Sequence, residues 1–269
     1  NGGSTSSRKA GAKIAKGEYV ICVDSDDYVE QGYFSCVARS LDEFNPDMVV
    51  LSHYSLEDNK KILRKDFVVQ GLLQDKEYEE VRDKFIYDPT DKNISNPGII
   101  SYSLCCKVVR REIYVKAQEQ VDDKIVIGDD MLCSLYCLQL AKSMVCLNDS
   151  FYVYRILNNS MMHSYNVKKF EHFENTVKAL VESDIVDNRR IYAYSFHALC
   201  NEYAGIAESV NSISEFRDKI KETQKFKLLY DMASRVDKSN CDLASRFKIW
   251  LVNNKKYNLI FLLLKLKNR

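Results

Sequence analysis

Two short acidic segments hold the residues best suited to chemistry. The first, Asp24-Ser-Asp26-Asp27, follows Glu18–Val23, a short apolar run with the β-branched composition of a buried strand. In an extended backbone, side chains two residues apart point the same way, so we expect Asp24 and Asp26 to converge beyond the strand end. Paired carboxylates there suit a hard divalent cation, Mg²⁺ or Mn²⁺, which also holds substrate phosphates. The alternative interpretation is a solvated acidic turn that caps the next helix.

The second acidic segment, Asp129-Asp130, comes directly after Gly128 and opens an apolar run that continues to Leu140. This pattern predicts a helix, and a carboxylate in its first turn can be explained by capping and by the helix dipole. The functional alternative is a general base held by a rigid element at the mouth of a site.

The composition describes an ordinary globular chain, with 269 residues, 46% hydrophobic and 29% charged. No apolar run approaches the roughly 20 residues that span a bilayer, and the first residues lack the apolar core of a signal peptide. The nine cysteines show no disulfide-framework spacing, which favours reduced thiols and a cytoplasmic setting.

Proline and glycine divide the chain into two parts. All three prolines lie in the first hundred residues, and from Asp129 to Arg269 the only such breaker is Gly205. The sequence therefore predicts an α/β front and a helical back. Helix, strand, helix and strand follow one another from Ser4 to His53, which is the rhythm of a mostly parallel sheet with crossover helices.

Several segments then match one family in order. Gly17–Tyr28 resembles the strand and Asp-x-Asp signature of the family-2 glycosyltransferases with the GT-A fold. The further segments resemble its Gly- and Arg-containing run, its Lys-hydrophobic-x-Arg segment, its Glu-Asp motif and its Tyr-Arg…Ser element; they are Asn1–Gly17, Cys106–Ile113, Gly128–Asp130, and Tyr152–Arg155 with Ser160. The resemblance covers residues 1–165, a GT-A-like catalytic domain, and leaves 166–269 as a helical C-terminal region.

The resemblance implies a reaction and its partners. Enzymes of this family move a sugar from a nucleotide donor, usually a uridine diphosphate sugar, to an acceptor hydroxyl with inversion. The acceptor would be a glycan or a lipid-linked glycan precursor, and a divalent metal, Mn²⁺ or Mg²⁺, would be the cofactor. No nucleic-acid partner is expected.

The same resemblance assigns roles to matching positions. Asp24 and Asp26 would meet the divalent metal, and Asp24 also the donor. Asp130 would deprotonate the acceptor hydroxyl, while Arg8 and Arg155 would face the donor diphosphate. The two residues expected beside the acceptor, or behind those that contact it, are Asp129 and Lys107.

Some features depart from the family pattern. The strand–helix–strand unit with which the family's domain opens has no counterpart ahead of Asn1, so we expect a sheet that is incomplete at its N-terminal side. Lys9 replaces the preferred Asn, and Asp129 replaces Glu. Two alternatives therefore stay open: a truncated, inactive relative that serves as a binding or assembly module, and a nucleotidyltransferase, which also uses paired carboxylates.

The C-terminal tail has a strong charge bias. After Asp242 there is no acidic residue, and seven basic residues alternate with apolar ones. A basic amphipathic helix over residues 247–269 suits an anionic membrane surface. This predicts a cytoplasmic protein that binds peripherally at the inner face of the plasma membrane. The alternative is a helix docked on its own domain with a solvated Lys face.

Overall fold

The computed structural model describes residues 3–64, 70–87, 91–93, 100–156 and 165–267. The chain forms two compact units. The α/β unit consists of residues 1–85 and 99–158, and the helical unit consists of residues 86–98 and 159–269.

The α/β unit alternates helices with strands over its first fifty residues, as its hydrophobic pattern predicts. Its helices are α1 (Gly3–Ile14), α2 (Tyr33–Phe44), α3 (Asp75–Asp83), α4 (Arg111–Gln120) and α5 (Asp129–Leu140). Its strands are β1 (Tyr19–Ile21), β2 (Tyr28–Val29), β3 (Met48–Glu57), β4 (Lys60–Arg64), β5 (Gly71–Gln74), β6 (Lys107–Arg110) and β7 (Ser143–Arg155).

The strands form one sheet in the order β1-β6-β3-β7-β2, with β4 paired to β3 and β5 paired to β7. The predicted α/β class with a helical C-terminal region is confirmed, but the expectation of a mostly parallel sheet needs correction. Among the described strands only β3 and β7 pair in parallel. The crossover through α2 does make β1 and β3 parallel, but β6 lies between them and runs antiparallel to both.

The sheet centre is mostly apolar on both faces, which is why its strands lack an alternating pattern. Met48 to Leu51 of β3 have no exposed surface. Tyr33 and Val37 of α2 pack against this strand together with Val108 and Val145. These buried side chains hold β1, β3 and β7 in fixed relative positions. The positions of the residues that come directly after these strands are fixed as a result.

Strand β7 is longer than its sequence indicates. The pattern from Val145 to Ile156 predicts two short pieces, whereas the structure has one strand of 13 residues. Its pairing with β3 shifts register between Leu51 and His53, so that Ser52 lies opposite Ser150. The polar residues of the irregular segment interrupt the apolar pattern without ending the strand.

The helical unit contains six helices among its described residues: α6 (Lys168–Ser183), α7 (Asn188–Ser209), α8 (Ile213–Thr223), α9 (Lys227–Ser234), α10 (Leu243–Asn253) and α11 (Tyr257–Lys267). Side chains of Asp187, Ser212 and Asp242 cap α7, α8 and α10 by accepting backbone N–H bonds. Within the described ranges, no helix is long and apolar enough to cross a membrane.

Candidate active site

Arg8 joins the two acidic segments. It lies in α1, and its side chain is only 16% exposed. Its Nη2 lies 3.1 Å from Oδ1 of Asp24, and its Nη1 lies 2.8 Å from Oδ2 of Asp129. Nη1 also donates to Oδ1 of Asp130. Carboxylates from the end of β1 and from the start of α5 therefore share one guanidinium.

Burial and ion pairing act on Arg8 in opposite directions. Burial lowers the pKa of the guanidinium, but the attraction of Asp130, Asp129 and Asp24 outweighs it and raises the pKa above its usual value. Arg8 therefore stays a cation at every pH at which the protein folds.

The acidic residues after β1 form a turn. The N–H of Asp27 donates to the carbonyl oxygen of Asp24 at 3.1 Å, which is the hydrogen bond of a β-turn. The expected extended backbone from Asp24 to Asp26 is therefore wrong, and the turn brings Asp27 close to Asp24 instead. The Asp26 side chain is exposed.

Asp27 holds this turn against β7. Its Oδ2 accepts from the Tyr152 hydroxyl at 2.7 Å, and its Oδ1 accepts from the Arg155 N–H at 2.9 Å. The same Tyr152 hydroxyl accepts from the Asp24 N–H at 3.2 Å. The Arg155 side chain donates through Nε to the carbonyl oxygen of Asp26, so this exposed arginine lies beside the acidic turn.

This turn also provides candidate metal ligands. Single ligand atoms of Asp24, Asp27 and Cys105 lie within 4.8 Å of one another. The two carboxylates fit a hard divalent cation, whereas the thiol does not suit Mg²⁺ or Mn²⁺. Cys105 is buried beside Cys106 and Tyr152, and its thiol is 2.8 Å from the Ser103 hydroxyl. The oxygen atoms of the turn are thus the fitting ligands.

Asp129 ties α1 to α5. Helix α5 begins after Gly128, whose φ of 87° lies in the left-handed region that favours glycine. Oδ2 of Asp129 accepts from the Ser4 hydroxyl at 2.7 Å and from the Thr5 hydroxyl at 3.4 Å, in addition to Arg8. Asp129 therefore fixes the position of the helix that carries Arg8.

Both oxygens of Asp130 are engaged. Oδ1 accepts from Arg8, and Oδ2 accepts from the backbone N–H of Leu104 at 3.2 Å. Burial raises the pKa of Asp130 to about 6, with the charge of Arg8 lowering it and that of Asp129 raising it. A carboxylate with this pKa suits a general base near neutral pH.

Lys107 lies beneath the loop that presents Leu104. Its side chain is buried, and Nζ donates to the carbonyl oxygens of Ser101 and Ser103, both at 2.6 Å. Lys107 thus supports the loop whose N–H contacts Asp130.

The structure brings six of the seven predicted residues into one connected set. Arg8 contacts Asp24, Asp129 and Asp130 directly, while Asp26 and Arg155 belong to the adjoining turn. Lys107 connects to Asp130 only through the loop. Ser160, which completes the resemblance, lies outside the described residues.

Sequence reasoning missed several partners in this set. Tyr152 stands inside a quoted motif, but nothing local indicates that its hydroxyl reaches Asp24 and Asp27 across 125 residues or more. Ser4 and Thr5 look like ordinary small helix residues. The backbone N–H of Leu104 has no sequence signal at all.

A comparison with known protein families agrees with the fold and the site. The sequence model of the family described as Glycosyl transferase family 2 matches residues 1–117. The predicted resemblance to the family-2 glycosyltransferases is therefore confirmed over this part of the chain.

The chain is also similar to two proteins that are named glycosyltransferases. The chain is 24% identical over 169 residues to glycosyltransferase GlyA of Streptococcus pneumoniae and 26% identical over 170 residues to glycosyltransferase GlyG of the same organism. The matches cover 62% and 61% of this chain, but only 23% and 52% of those two proteins.

A solved structure has a similar fold. TarS residues 1–349 of S. aureus, crystallised with UDP, has a TM-score of 0.61 at 16% identity, covering 98% of this chain and 70% of that one. The same TarS segment has also been solved with UDP-GlcNAc, with a TM-score of 0.58. At these identities the likeness shows the GT-A-like fold.

Proposed function

We propose that the chain transfers a sugar from a nucleotide-diphosphate donor to a hydroxyl of a glycan or lipid-linked acceptor, with inversion at the anomeric carbon. The observation that carries the proposal is the shared contact of Arg8 with Asp24 and Asp130, because it joins a donor-side carboxylate to a candidate base. The UDP and UDP-GlcNAc complexes of TarS support a uridine diphosphate sugar as the donor.

A divalent metal fits the charge of the site. The two acidic segments carry five carboxylates, and among the described residues their side-chain partners include two arginines, Arg8 and Arg155, so a diphosphate anion would be repelled without additional positive charge. When bound, Mg²⁺ or Mn²⁺ neutralises negative charge on the departing diphosphate. We assign Asp24 and Asp26 as its ligands on the family resemblance; the Asp26 carboxylate is exposed, whereas Asp27 lies near Asp24 and holds the turn against β7.

Asp130 acts as the general base in a single displacement. Its carboxylate takes the proton of the acceptor hydroxyl while that oxygen forms a bond to the anomeric carbon. The bond from this carbon to the diphosphate oxygen breaks, and the nucleoside diphosphate leaves with the electron pair. Attack on the face opposite the leaving group inverts the configuration.

The remaining residues position these groups. Arg8 and Arg155 face the donor diphosphate, where guanidinium groups can donate two parallel hydrogen bonds. Asp129 holds α1 against α5, and Lys107 holds the loop behind Asp130. We place the catalytic domain within residues 1–165 and the helical region in residues 166–269.

The helical region carries a surface suited to an anionic membrane. Helix α10 exposes Leu243, Phe247 and Trp250, and the rings of the last two stack with centroids 6.0 Å apart. Helix α11 exposes Leu259, Leu262, Leu263 and Leu266. Both helices also carry basic residues, and Nζ of Lys256 lies 5.7 Å from the Trp250 ring centroid. We propose that this tail, residues 247–269, binds anionic lipid at the cytoplasmic face of the membrane.

One assay separates this function from its alternatives. The chain is incubated with Mn²⁺, a panel of UDP-sugars and a glycan acceptor, and we expect release of UDP that the acceptor stimulates. UDP binding without any release would favour a binding or assembly module. Release of pyrophosphate from a nucleoside triphosphate would favour a nucleotidyltransferase.

A further inference from the structure

Two hydrogen-bond donors mask the proposed base. Arg8 donates to Oδ1 of Asp130 and the Leu104 N–H donates to Oδ2, and the positive charge of Arg8 lowers the pKa of this carboxylate and so makes it a weaker base. A general base needs an oxygen lone pair directed at the proton that it removes. Of the two contacts, the Leu104 bond is made by backbone, whereas the Arg8 bond is made by a long side chain with several rotatable bonds.

Arg8 is also shared more widely than one cation can satisfy. Nη1 contacts both Asp129 and Asp130, while Nη2 contacts Asp24. One positive charge thus faces three carboxylates. Any further anion that reaches Arg8 must compete with these three partners.

Asp129 is the partner that stays. It accepts from Ser4 and Thr5 as well as from Arg8, so it belongs to the fixed junction between α1 and α5. Among the described residues, the hydrogen bond between Asp130 and α1 is the one that Arg8 donates. A guanidinium that keeps its bond to Asp129 can therefore turn away from Asp130 without leaving the site.

We propose that Asp130 and the donor diphosphate compete for Arg8, so that donor binding draws the guanidinium away and frees Oδ1 to accept the proton of the acceptor hydroxyl. Arg8 is then a positioning residue that keeps the base masked until the donor is present, and Asp129 is its pivot. The inference rests on the proposed function, in which Asp130 is the base and Arg8 faces the diphosphate.

Thermodynamic linkage makes this competition measurable without any turnover. If the donor takes Arg8 from Asp130, then removing the charge of Asp130 must tighten donor binding, because the guanidinium no longer has to be withdrawn. Simple repulsion between Asp130 and the diphosphate would also weaken binding, but that repulsion does not require Arg8. The two explanations differ in a double-mutant cycle.

The experiment measures the affinity of UDP with Mg²⁺ by calorimetry for wild type, Asp130→Asn, Arg8→Gln and the double variant. We expect Asp130→Asn to tighten binding about fivefold or more, in the usual range of coupling between sites, and to have less than about a twofold effect when Arg8 is Gln. Asp123→Asn, which removes an exposed carboxylate paired with Lys9, is the matched control and should change nothing.

Each other result decides against the proposal. An equal gain in affinity with and without Arg8 would mean simple repulsion, and no gain from Asp130→Asn would mean no competition. If Arg8→Gln does not fold, Arg8→Lys replaces it, since one ammonium group cannot hold Asp129 and Asp130 as the guanidinium does. Wild type that binds no UDP would overturn the proposed donor together with this inference, whereas binding without coupling would overturn this inference alone.

Discussion

Arg8 and Asp24, sixteen residues apart in the sequence, form an ion pair with 3.1 Å between Nη2 and Oδ1. The other amino group of the same guanidinium contacts Asp129 and Asp130, which follow more than a hundred residues later. The donor side and the acceptor side of the proposed reaction are therefore coupled through a single side chain. A substitution on the donor side is therefore expected to change the properties of the acceptor side, and the reverse.

Asp130→Asn should lower the rate of sugar transfer by about 10²–10⁴-fold, because an amide cannot take the proton of the acceptor hydroxyl. UDP release in the presence of acceptor is the measurement, and donor binding should not weaken. Asp123→Asn serves as the control with unchanged activity. Turnover close to wild type in Asp130→Asn would remove this residue from the base role.

The pH dependence should report the same carboxylate. Since the base works when deprotonated and burial raises the pKa of Asp130 to about 6, kcat/KM should rise as the pH increases through about 6. Asp129→Asn removes a charge that raises this pKa, so its acid limb should move to lower pH. Arg8→Gln should move the limb to higher pH. A limb that is the same in all three proteins would assign it to another group.

Asp26→Asn and Asp27→Asn should separate metal binding from the stability of the turn. The exposed Asp26 carboxylate can be replaced without loss of stability, so Asp26→Asn should weaken Mg²⁺-dependent UDP binding alone. Asp27→Asn, by contrast, should lower the free energy of unfolding by about 1–3 kcal/mol, because the Asp27 carboxylate accepts hydrogen bonds from Tyr152 and Arg155. Calorimetry and urea unfolding measure the two effects. Unchanged UDP affinity in Asp26→Asn would contradict the assigned ligand.

Lys107→Met should lower the free energy of unfolding by about 2 kcal/mol, since two loop carbonyl oxygens lose their hydrogen-bond donor while the stem volume is kept. Transfer should fall as well, because the loop carries the N–H that contacts Asp130. Urea unfolding is the measurement, and Lys116→Met on the exposed side of α4 is the matched control. Equal stability of the two variants would show that the loop does not depend on Lys107.

Replacing both Phe247 and Trp250 by Ser should reduce binding to vesicles that contain phosphatidylglycerol by about tenfold or more, because the exposed aromatic side chains no longer enter the lipid interface. Vesicle flotation is the measurement, and high salt should weaken binding of the wild type. Phe34→Ser, which removes an exposed aromatic of α2, is the control. Flotation that is unaltered by the double substitution would rule out this surface.

Much of the fold follows from local patterns. The helix that carries Arg8, the apolar run at Met48–Leu51 and the helical region with Gly205 as its single breaker all match their elements to within a few residues. The antiparallel β6 between β1 and β3 could not be anticipated, because a four-residue strand has no feature that indicates its direction or its partners. The extended path assumed through Asp24-Asp26 failed for a related reason, since the turn is held by Tyr152 of β7.

The sequence by itself determined which residue types this protein can use: carboxylates in two motifs, arginines near them, and the order in which the family's segments occur. Only the tertiary structure decided which of these groups meet. Arg8 reaches Asp130, Tyr152 reaches Asp27, and Leu104 presents its N–H to Asp130 because the sheet and the junction between α1 and α5 bring them together. Helix and strand periodicity records how each segment buries its own apolar side chains, but a hydrogen bond between distant segments depends on how those segments pack.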